Sequence, residues 1–431
     1  MAWNYIDLRF LFQFDCQLEA TLTDRRLIIR LYAKDLIPNT SRKPIPLKIA
    51  GRQSGPQSCY TCGEFACRRH KDLIGLGLNT PDACTTYLLD CAWPEFQKWI
   101  KSSVESQELV ITPFPVGFKG RCGWQKMCEY HLHSGFTAAL RSVQARRRGS
   151  ASEKRSRQLK ATDMLARAGA RKIPITSVRL VVDVSFLAEL QRIGTLGGRS
   201  YEVLMSRAPI KMIHEQLEGA SISDPFATSL SDFRADNERV ELEWMALCRA
   251  SKIITPHHGI AKWLESRGIK AEIIDWILPE PAVEEKKGNY LYFPGPTMAR
   301  EGAKAVRDAA KALHLSVSVS GAMLEPPSFW EGVTILSPQE APLEGSIAVV
   351  HPAALKDRPT ACLRALSAGI TVIATSGCGI SQIIEVSFGS VDEVVAAVQG
   401  VIEARSSAKT NCPSDPQSPH TDSLKGFFFL V

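Results

Sequence analysis

From residue 177 to residue 404, short apolar runs alternate with amphipathic stretches of helical period. The run Tyr290 to Phe293 is apolar throughout, and the run Val178 to Val184 is apolar except for Arg179 and Asp183, which predicts buried strands. Two further runs, Ile347 to Val350 and Thr371 to Ala374, flank a short helical stretch. Strand, helix and strand joined by connections this short predict a βαβ unit, in which parallel strands are buried on both faces. This part of the chain is therefore expected to have an α/β architecture.

The carboxyl ends of these predicted strands indicate where a ligand would lie. His351 follows one apolar run directly, and the loop Ser376-Gly377-Cys378-Gly379 follows the next. Ligands of open parallel sheets bind beyond the carboxyl ends of the strands. We therefore predict that His351, Ser376, Gly377 and Gly379 contribute to a binding site.

Residues 1–140 have a different, mixed pattern. Aromatic and β-branched residues predict strands at Trp3 to Phe14, Leu18 to Leu22 and Leu27 to Leu31. Asp90 to Ser103 is typical of a short amphipathic helix, and Leu109 to Phe114 of another strand. Residues 1–140 are thus expected to form a small Cys-rich α+β domain.

The cysteines of this region suggest a metal site. Seven of the twelve cysteines lie between residues 59 and 128, where the segment SCYTCGEFACRRHK has the spacing Cys59-x2-Cys62-x4-Cys67-x2-His70. Cys-x2-Cys lets two thiolates of a tight turn bind one ion. Structural zinc, an iron–sulfur cluster and unligated buried cysteines remain alternatives. The candidate ligands are Cys59, Cys62, Cys67, His70, Cys84 and Cys91.

Length and composition are those of a globular protein. The 431 residues, 45% hydrophobic and 23% charged, fit two or three domains. No apolar run approaches the ~18 residues of a membrane span, and the amino-terminal MAWNYIDLRFLFQFD lacks a basic start. We therefore expect a cytoplasmic protein without a transmembrane segment. Residues 405–431 are of low complexity, end in FFFLV and are expected to be a disordered tail.

Positive charge is concentrated in one segment. Between Arg141 and Lys172 there are eleven Lys or Arg and two acids, a net charge of +9, whereas the whole chain carries +7. Residues 141–172, with helix-forming composition from Ser150 to Ala168, predict a basic linker helix. It is either a solvated linker or a contact for an anionic partner such as membrane phosphate, RNA or an acidic polysaccharide.

Two blocks of the chain resemble a known family. HPAALKDRPTACLRALSAGITVIATSGCGI, residues 351–380, resembles the carboxyl-terminal signature of retaining glycosyltransferases of the B-type fold (glycosyl transferases group 1, glycogen-synthase-like). ERVELEWMALCRASKIITPHHGIAKWLESRGIKAEIIDWILPEP, residues 238–281, resembles the end of the family's first domain. The resemblance implies two Rossmann-like domains, at residues 173–283 and 284–404. The first is expected to be reduced, with about three strands.

The family binds its nucleotide-sugar donor through charged residues of the second domain. Its signature has two acids that hold donor hydroxyls, and the matching positions here are Lys356 and Arg364. Arg300 falls near a family cation that grips the donor diphosphate, while Glu301 stands where lysine is usual. The resemblance implies donor contacts from Arg300, Lys356, Arg358 and Arg364, with the Gly377 to Gly379 backbone nearby.

The resemblance implies a glycosyltransferase that transfers a sugar from a nucleotide-sugar donor to an unknown acceptor. Cations in place of both acids favour an alternative, in which the chain is a non-catalytic binding or scaffold protein with a zinc- or iron–sulfur-binding amino-terminal domain. A third hypothesis is an iron–sulfur protein whose α/β half binds a nucleotide.

Overall fold

The computed structural model of the chain divides into two compact units, Met1–Gly55 and Pro56–Val431. The residues it describes are 16–23, 26–33, 83–118, 120, 122–147, 149, 151–174, 176–231, 234–281 and 288–410. Several predictions fall outside them: Cys59, Cys62, Cys67 and His70 as metal ligands, the strand Trp3 to Phe14, and the tail beyond residue 410.

The first unit contains a β-hairpin. Strand β1, Cys16–Thr23, pairs antiparallel with strand β2, Arg26–Ala33, and Thr23 lies opposite Arg26. Two of the three predicted amino-terminal strands are thereby confirmed.

The first half of the second unit is built on a seven-stranded sheet in which all neighbouring strands are parallel. Its strands are β3 Thr85–Leu88, β4 Leu109–Thr112, β5 Tyr130–His133, β6 Arg179–Asp183, β7 Ser200–Leu204, β8 Lys252–Thr255 and β9 Glu272–Ile273. The spatial order is β5-β4-β3-β6-β7-β8-β9. The chain runs outward from β3 to β5 and then crosses back to β6. The topological switch therefore lies between β3 and β6.

Both faces of this sheet are buried. On β6, Leu180 and Val182 belong to one hydrophobic core, while Val181 faces the other with Tyr87 and Val110. Alternate residues of a strand point to opposite faces, so a strand covered on both sides must be apolar throughout. Leu180, Val181 and Val182, the apolar centre of this predicted strand, are consecutive apolar residues for that reason.

Eight helices surround the sheet within the described part of the first half. They are α1 Pro94–Ser103, α2 Gly135–Arg146, α3 Ala151–Ala170, α4 Val184–Arg192, α5 Ile210–Ser223, α6 Thr228–Ser231, α7 Asn237–Arg249 and α8 His258–Glu265. Asp183 caps α4, Asp236 caps α7 and His257 caps α8, each accepting a backbone N–H at the start of its helix. Helices α2 and α3 pack against each other.

This half differs from the predicted division of the chain. Strands β3 to β5 pair into the same sheet as β6, so the described residues before 140 and after 173 share one domain. The basic helix α3 is part of that domain and not a linker, because Arg167 pairs with Glu189 of α4 and Asp163 with Arg239 of α7. The expectation of about three strands is also wrong. Strand β5, with the sequence YHLH and no buried residue, has no apolar run from which it could be recognised.

The second half contains a six-stranded parallel sheet of order β12-β11-β10-β13-β14-β15. Its strands are β10 Tyr290–Phe293, β11 Ser316–Val319, β12 Ile335–Leu336, β13 Ala348–His351, β14 Val372–Ala374 and β15 Ile384–Glu385. The switch lies between β10 and β13. The residues of β10 again alternate between two cores, with Leu291 and Phe293 in one and Tyr292 in the other.

Three helices and four short 3-10 turns complete the second half as described. The helices are α9 Ala303–Ala312, α10 Thr360–Ser367 and α11 Val391–Thr410; the turns are Ala299–Glu301, Pro327–Trp330, Leu343–Gly345 and Ser376–Cys378. The βαβ unit β13-α10-β14 is confirmed, and the chain contains two parallel-sheet α/β domains. Among the described residues, every helix is too short or too polar to cross a membrane.

Candidate functional site

A cleft of about 790 Å³ lies where the two parallel-sheet halves meet. Its lining includes Trp93 and Arg207, which follow β3 and β7 of the first half. Glu301 and Lys356 line it from the second half, after β10 and β13. The cleft thus lies beyond the carboxyl ends of strands in both sheets, where open parallel sheets bind their ligands.

Among the charged residues that line the cleft, cations outnumber carboxylates. Six Lys or Arg face it, whereas Glu301 and Asp357 are the two carboxylates among its lining residues. A concave surface with an excess of one charge concentrates ligands of the opposite sign. The cations are Lys154, Arg155, Arg207, Arg300, Lys356 and Arg358.

Glu301 and Lys356 form an ion pair at the switch point of the second sheet. Lys356 Nζ lies 3.0 Å from Glu301 Oε2, and His351 Nε2 donates to the same oxygen at 2.9 Å. Burial alone would raise the pKa of Glu301, but the hydrogen bonds and charges of His351 and Lys356 outweigh it and lower the pKa to about 2. These are the two positions at which the resemblance implies a lysine and an acid. Each of the two positions therefore carries a charge opposite to the one that the resemblance implies.

Two buried thiols lie behind His351. Its Nδ1 is 3.8 Å from Cys362 Sγ, and Cys378 Sγ donates to the His351 carbonyl oxygen at 3.5 Å. Burial would lower the pKa of His351, but the Cys378 thiol and Glu301 favour the imidazolium and raise the pKa to about 9. His351 is buried, so it acts on the cleft through Glu301 and has no direct contact with it.

Arg358 reaches across the cleft to the first half. Its Nη2 donates to Glu95 Oε1 at 3.1 Å, and the same oxygen accepts the Ile277 backbone N–H at 3.1 Å. The Glu95 side chain is fully buried. A second bridge joins Asp357 Oδ1 to the Ala208 backbone N–H at 3.0 Å. Both bridges tie the loop after β13 to the first domain.

Arg300 is the most exposed of the predicted donor contacts in the cleft. Its side chain is 52% exposed, and its Nε lies 4.0 Å from Glu301 Oε1, which is beyond hydrogen-bonding distance. The turn ends at Gly302 with φ of 79°, where an added β-carbon would meet the Pro352 carbonyl oxygen at 2.3 Å. Glycine is thus required for the turn that presents Arg300 and Glu301 to the cleft.

Arg364 does not line the cleft, although it was predicted as a donor contact. It lies on the exposed side of α10 and pairs with Glu344. Arg358 precedes the helix and faces the cleft, whereas Arg364 follows six residues later on another side. Arg358 lies before the first turn of α10 and Arg364 lies within the helix, so the two side chains point to different sides.

The loop Ser376 to Gly379 docks the second half onto the first and is likewise absent from the cleft lining. His257 Nε2 donates to the Gly377 carbonyl oxygen at 3.2 Å. The Gly379 carbonyl oxygen accepts from the His258 N–H at 3.1 Å and from Trp276 Nε1 at 3.0 Å. These carbonyl groups therefore accept hydrogen bonds from the first domain, and the His257 side chain also caps α8 by accepting the Ile260 N–H.

The first sheet has a charged cluster at its own switch point. Arg141 binds Asp90 through two hydrogen bonds of 2.8 and 2.6 Å, and Asp90 follows β3. Asp183, at the end of β6, accepts from Ser206 Oγ at 2.7 Å and from the Ser185 N–H at 2.8 Å. Burial, followed by the charge of Asp90, raises the pKa of Asp183 to about 6.

The described cysteines do not form a metal centre with each other. Cys84 precedes β3 and Cys91 follows it, so the two lie roughly 15 Å or more apart along an extended chain. Zinc–sulfur bonds are about 2.3 Å, so these two cysteines cannot bind one ion. Within the described ranges, no group of three or more His, Cys, Asp or Glu could hold a metal. Cys84 and Cys91 are therefore alternatives to each other as the residue that completes a site around Cys59 and Cys62, which lie outside the described residues.

The chain matches no family model, and no curated protein matches it. Several glycosyltransferase structures are weakly similar. TarM is 6% identical over 52% of this chain and 48% of its own, with a TM-score of 0.38. The lipopolysaccharide outer core galactosyltransferase WaaB, in its apo form, is 11% identical over 74% and 91%, with a TM-score of 0.39. LpCGTa in complex with UDP is 12% identical over 77% and 96%, with a TM-score of 0.36. TM-scores below 0.5 do not define a common fold.

Sequence reasoning missed several residues of the cleft. Lys154 and Arg155 were recognised as part of a basic helix, but no local pattern shows that this helix reaches the cleft. Glu95 was read only as part of an amphipathic helix. Its partner Arg358 is 263 residues away, so the pairing leaves no signal in the sequence.

Proposed function

We propose that this chain is a glycosyltransferase of the B-type fold that binds a nucleotide-sugar donor in the cleft and transfers its sugar to an acceptor. The observation that carries the proposal is the cleft itself. It opens at the carboxyl ends of two facing parallel sheets and has six cationic side chains against two carboxylates. Both carboxylates already accept hydrogen bonds within the protein.

In this proposal the donor diphosphate lies against the second half. Arg300 is half exposed and can turn toward a phosphate, and Lys356 and Arg358 are at the same wall. Cations fixed beside a departing diphosphate stabilise the negative charge that develops as the sugar leaves. His351 has a positioning role, because its hydrogen bond holds the Glu301 carboxylate beside Lys356.

The first test is the thermal stability of the protein with UDP, GDP, ADP and their sugar conjugates. A ligand at about 100 times its dissociation constant adds about 2.7 kcal/mol to the free energy of unfolding. We expect one nucleotide to stabilise the wild type and Arg300→Ala to lose that effect. Arg364→Ala is the matched control, because Arg364 lies outside the cleft and should leave the shift intact. Equal shifts in both variants, or none with any nucleotide, would contradict the proposal.

A non-catalytic binding protein is the second candidate. It is favoured by the Glu301–Lys356 pair, which neutralises a cleft cation, and by the use of the Gly377 and Gly379 carbonyl groups between the domains. The transferase and the binding protein are distinguished by incubating the protein with the nucleotide sugar that stabilises it and measuring the free nucleotide released. Turnover supports the transferase, and binding without release over hours supports the second candidate.

The metal proposal rests first on Cys59, Cys62, Cys67 and His70, and their spacing supports zinc first and an iron–sulfur cluster second. We propose that they hold a structural ion. Metal analysis of the purified protein should find about one equivalent, lost in Cys59→Ser and kept in Cys84→Ser. Visible absorption with iron and sulfide in the sample would identify the cluster instead.

A further inference from the structure

One corner of the cleft contains an ion pair whose hydrogen bonding is incomplete. Arg358 Nη2 donates to Glu95 Oε1 at 3.1 Å, and the same oxygen accepts the Ile277 backbone N–H. Arg358 Nε and Glu95 Oε2, which belong to the same two charged groups, are buried and have no hydrogen-bond partner among the described residues. A guanidinium and a carboxylate can pair through two parallel hydrogen bonds. The pair is therefore balanced in charge, but one donor and one acceptor are left over.

These two atoms define the chemistry of the partner that would satisfy them. The Glu95 side chain is fully buried, and a buried carboxylate oxygen without a donor costs the free energy of its lost hydration. Glu95 Oε2 needs a donor, whereas Arg358 Nε needs an acceptor. A hydroxyl group is both, so one hydroxyl can satisfy the two atoms together. A phosphate oxygen accepts only, and its negative charge is repelled by the carboxylate.

The surroundings of this ion pair suit a sugar ring. Trp93, Pro94, Arg358 and Thr360 line the cleft, and the Arg358 guanidinium lies 5.9 Å from the centre of the Trp93 ring. Binding sites for small molecules commonly combine aromatic surface with a few polar groups of this kind. A sugar matches both, since its C–H groups are apolar and its hydroxyls donate and accept. The Arg358 side chain is 23% exposed, so a ligand in the cleft can contact it.

The ion pair also lies beside a proposed diphosphate contact. Lys356 is two residues before Arg358 in the loop after β13, so their α-carbons are at most about 7 Å apart. We infer that Glu95 and Arg358 determine the specificity for the donor sugar: one hydroxyl of the transferred sugar donates to Glu95 Oε2 and accepts from Arg358 Nε. This inference rests on the proposed function and adds that the sugar is neutral where it meets Glu95.

The first experiment measures what the sugar adds to nucleotide binding. Calorimetric titration compares UDP, GDP and ADP with their glucose and galactose conjugates, and the readout is the ratio of the affinities with and without the sugar. For the nucleotide that binds, one of the conjugates should bind the wild type roughly tenfold or more tightly than the nucleotide alone, because hydrogen bonds to charged groups are among the strong ones.

Two substitutions each remove one of the two atoms. Glu95→Gln keeps an oxygen for Arg358 Nη2 and the Ile277 N–H but has an NH2 group in place of Oε2. Arg358→Lys keeps a positive charge beside Glu95 but lacks Nε. In both variants the affinity ratio should fall toward one. The matched controls are Glu344→Gln and Arg364→Lys, which change a Glu–Arg pair outside the cleft and should keep the ratio of the wild type. Circular dichroism verifies that each variant is folded.

The second experiment changes the ligand, because a loosened contact between the domains could also weaken binding. In analogues of the tighter conjugate, one sugar hydroxyl at a time is replaced by hydrogen or by fluorine, which cannot donate. One position should lose roughly tenfold or more with the wild type for either replacement. The same replacement should cost less than about threefold with Glu95→Gln, since the two changes remove the same hydrogen bond. If a variant does not fold, the losses with the wild type still test the inference.

Three results would contradict these expectations. Equal affinity of nucleotide and conjugates for the wild type overturns the inference and leaves the two atoms to a bound water. Glu95→Gln that weakens a nucleotide and its conjugate equally assigns the hydroxyl to the nucleoside and overturns it as well. Failure of UDP, GDP and ADP to bind the wild type is a separate result, which overturns the proposed function.

Discussion

The imidazole of His257 lies against Gly379 so closely that a β-carbon at residue 379 would be 2.2 Å from Nδ1. Gly379 also has φ of 64°, a conformation that side chains other than glycine adopt at a cost. One residue therefore meets two requirements, a left-handed turn and contact between the domains.

Gly379→Ala should destabilise the protein by about 2 to 5 kcal/mol, from left-handed strain of roughly 1 to 2 kcal/mol and overpacking of roughly 1 to 3 kcal/mol. Gly369→Ala is the control. Its φ is 68°, but nothing lies within 4 Å of the added carbon, so it carries the strain alone. Urea unfolding of both variants gives the comparison. Equal destabilisation would show that the contact with His257 has no energetic weight.

Glu301→Gln should destabilise the protein by about 2 kcal/mol between pH 4.5 and 6.5. The pKa of Glu301 falls from 4.5 to about 2 on folding, so its stabilisation is present above pH 4.5 and lost toward pH 2. The pKa of His351 rises from 6.5 to about 9, so its stabilisation is present below pH 6.5 and lost as the pH rises to 9. The deficit of the variant should therefore shrink between pH 6.5 and 9.

Unfolding free energies of Glu301→Gln and wild type, measured from pH 4 to pH 9.5, test this dependence. Glu344→Gln serves as the control, because its partner Arg364 keeps its charge over the whole range. A deficit in Glu301→Gln that stays constant up to pH 9.5 would mean that His351 is not protonated in the folded protein.

Arg358→Ala should cost about 3 kcal/mol, because it leaves the buried carboxylate of Glu95 without its cation. Glu95→Gln with Arg358→Ala completes a double-mutant cycle, and we expect a coupling energy of about 1 to 3 kcal/mol. Arg364→Ala, which removes a half-exposed partner of Glu344, should cost less than about 1 kcal/mol. A coupling energy near zero would argue against the ion pair between the domains.

Asp183→Asn should gain stability relative to wild type as the pH rises from 3.8 to about 6. The pKa of Asp183 is raised on folding, so ionisation of the buried carboxyl destabilises the wild type above the unfolded pKa. Asparagine keeps an oxygen for Ser185 and Ser206 and does not ionise. Thermal unfolding across this pH range measures the difference between the two proteins, and parallel curves would contradict a raised pKa.

The strands that were predicted correctly are those in which burial on both faces requires consecutive apolar residues. Tyr290–Phe293 agrees with the structure to the residue, because its sequence YLYF is large and apolar without a break. Ser200–Leu204 was not among the predicted strands. It contains Glu202, which is tolerated inside the sheet because Arg179 on the neighbouring strand binds it at 2.6 Å.

The cleft was only partly predictable for a similar reason. The carboxyl ends of strands can be read locally, so His351 and the loop Ser376 to Gly379 were correctly placed at the edge of the sheet. Whether His351 or the loop Ser376 to Gly379 lines the cleft depends on how the first domain packs against the second, and the local sequence does not show this. Glu301 and Lys356 are 55 residues apart in the sequence. Their ion pair could therefore not be predicted before the fold showed that the two side chains are in contact.

The bridges from Arg358 to Glu95, from Asp357 to Ala208 and from His257 and Trp276 to the glycine loop have a thermodynamic consequence. Neither sheet can lose its order without exposing buried polar groups of the other. The two α/β domains should therefore melt together, with equal calorimetric and van 't Hoff enthalpies, as a single cooperative unit.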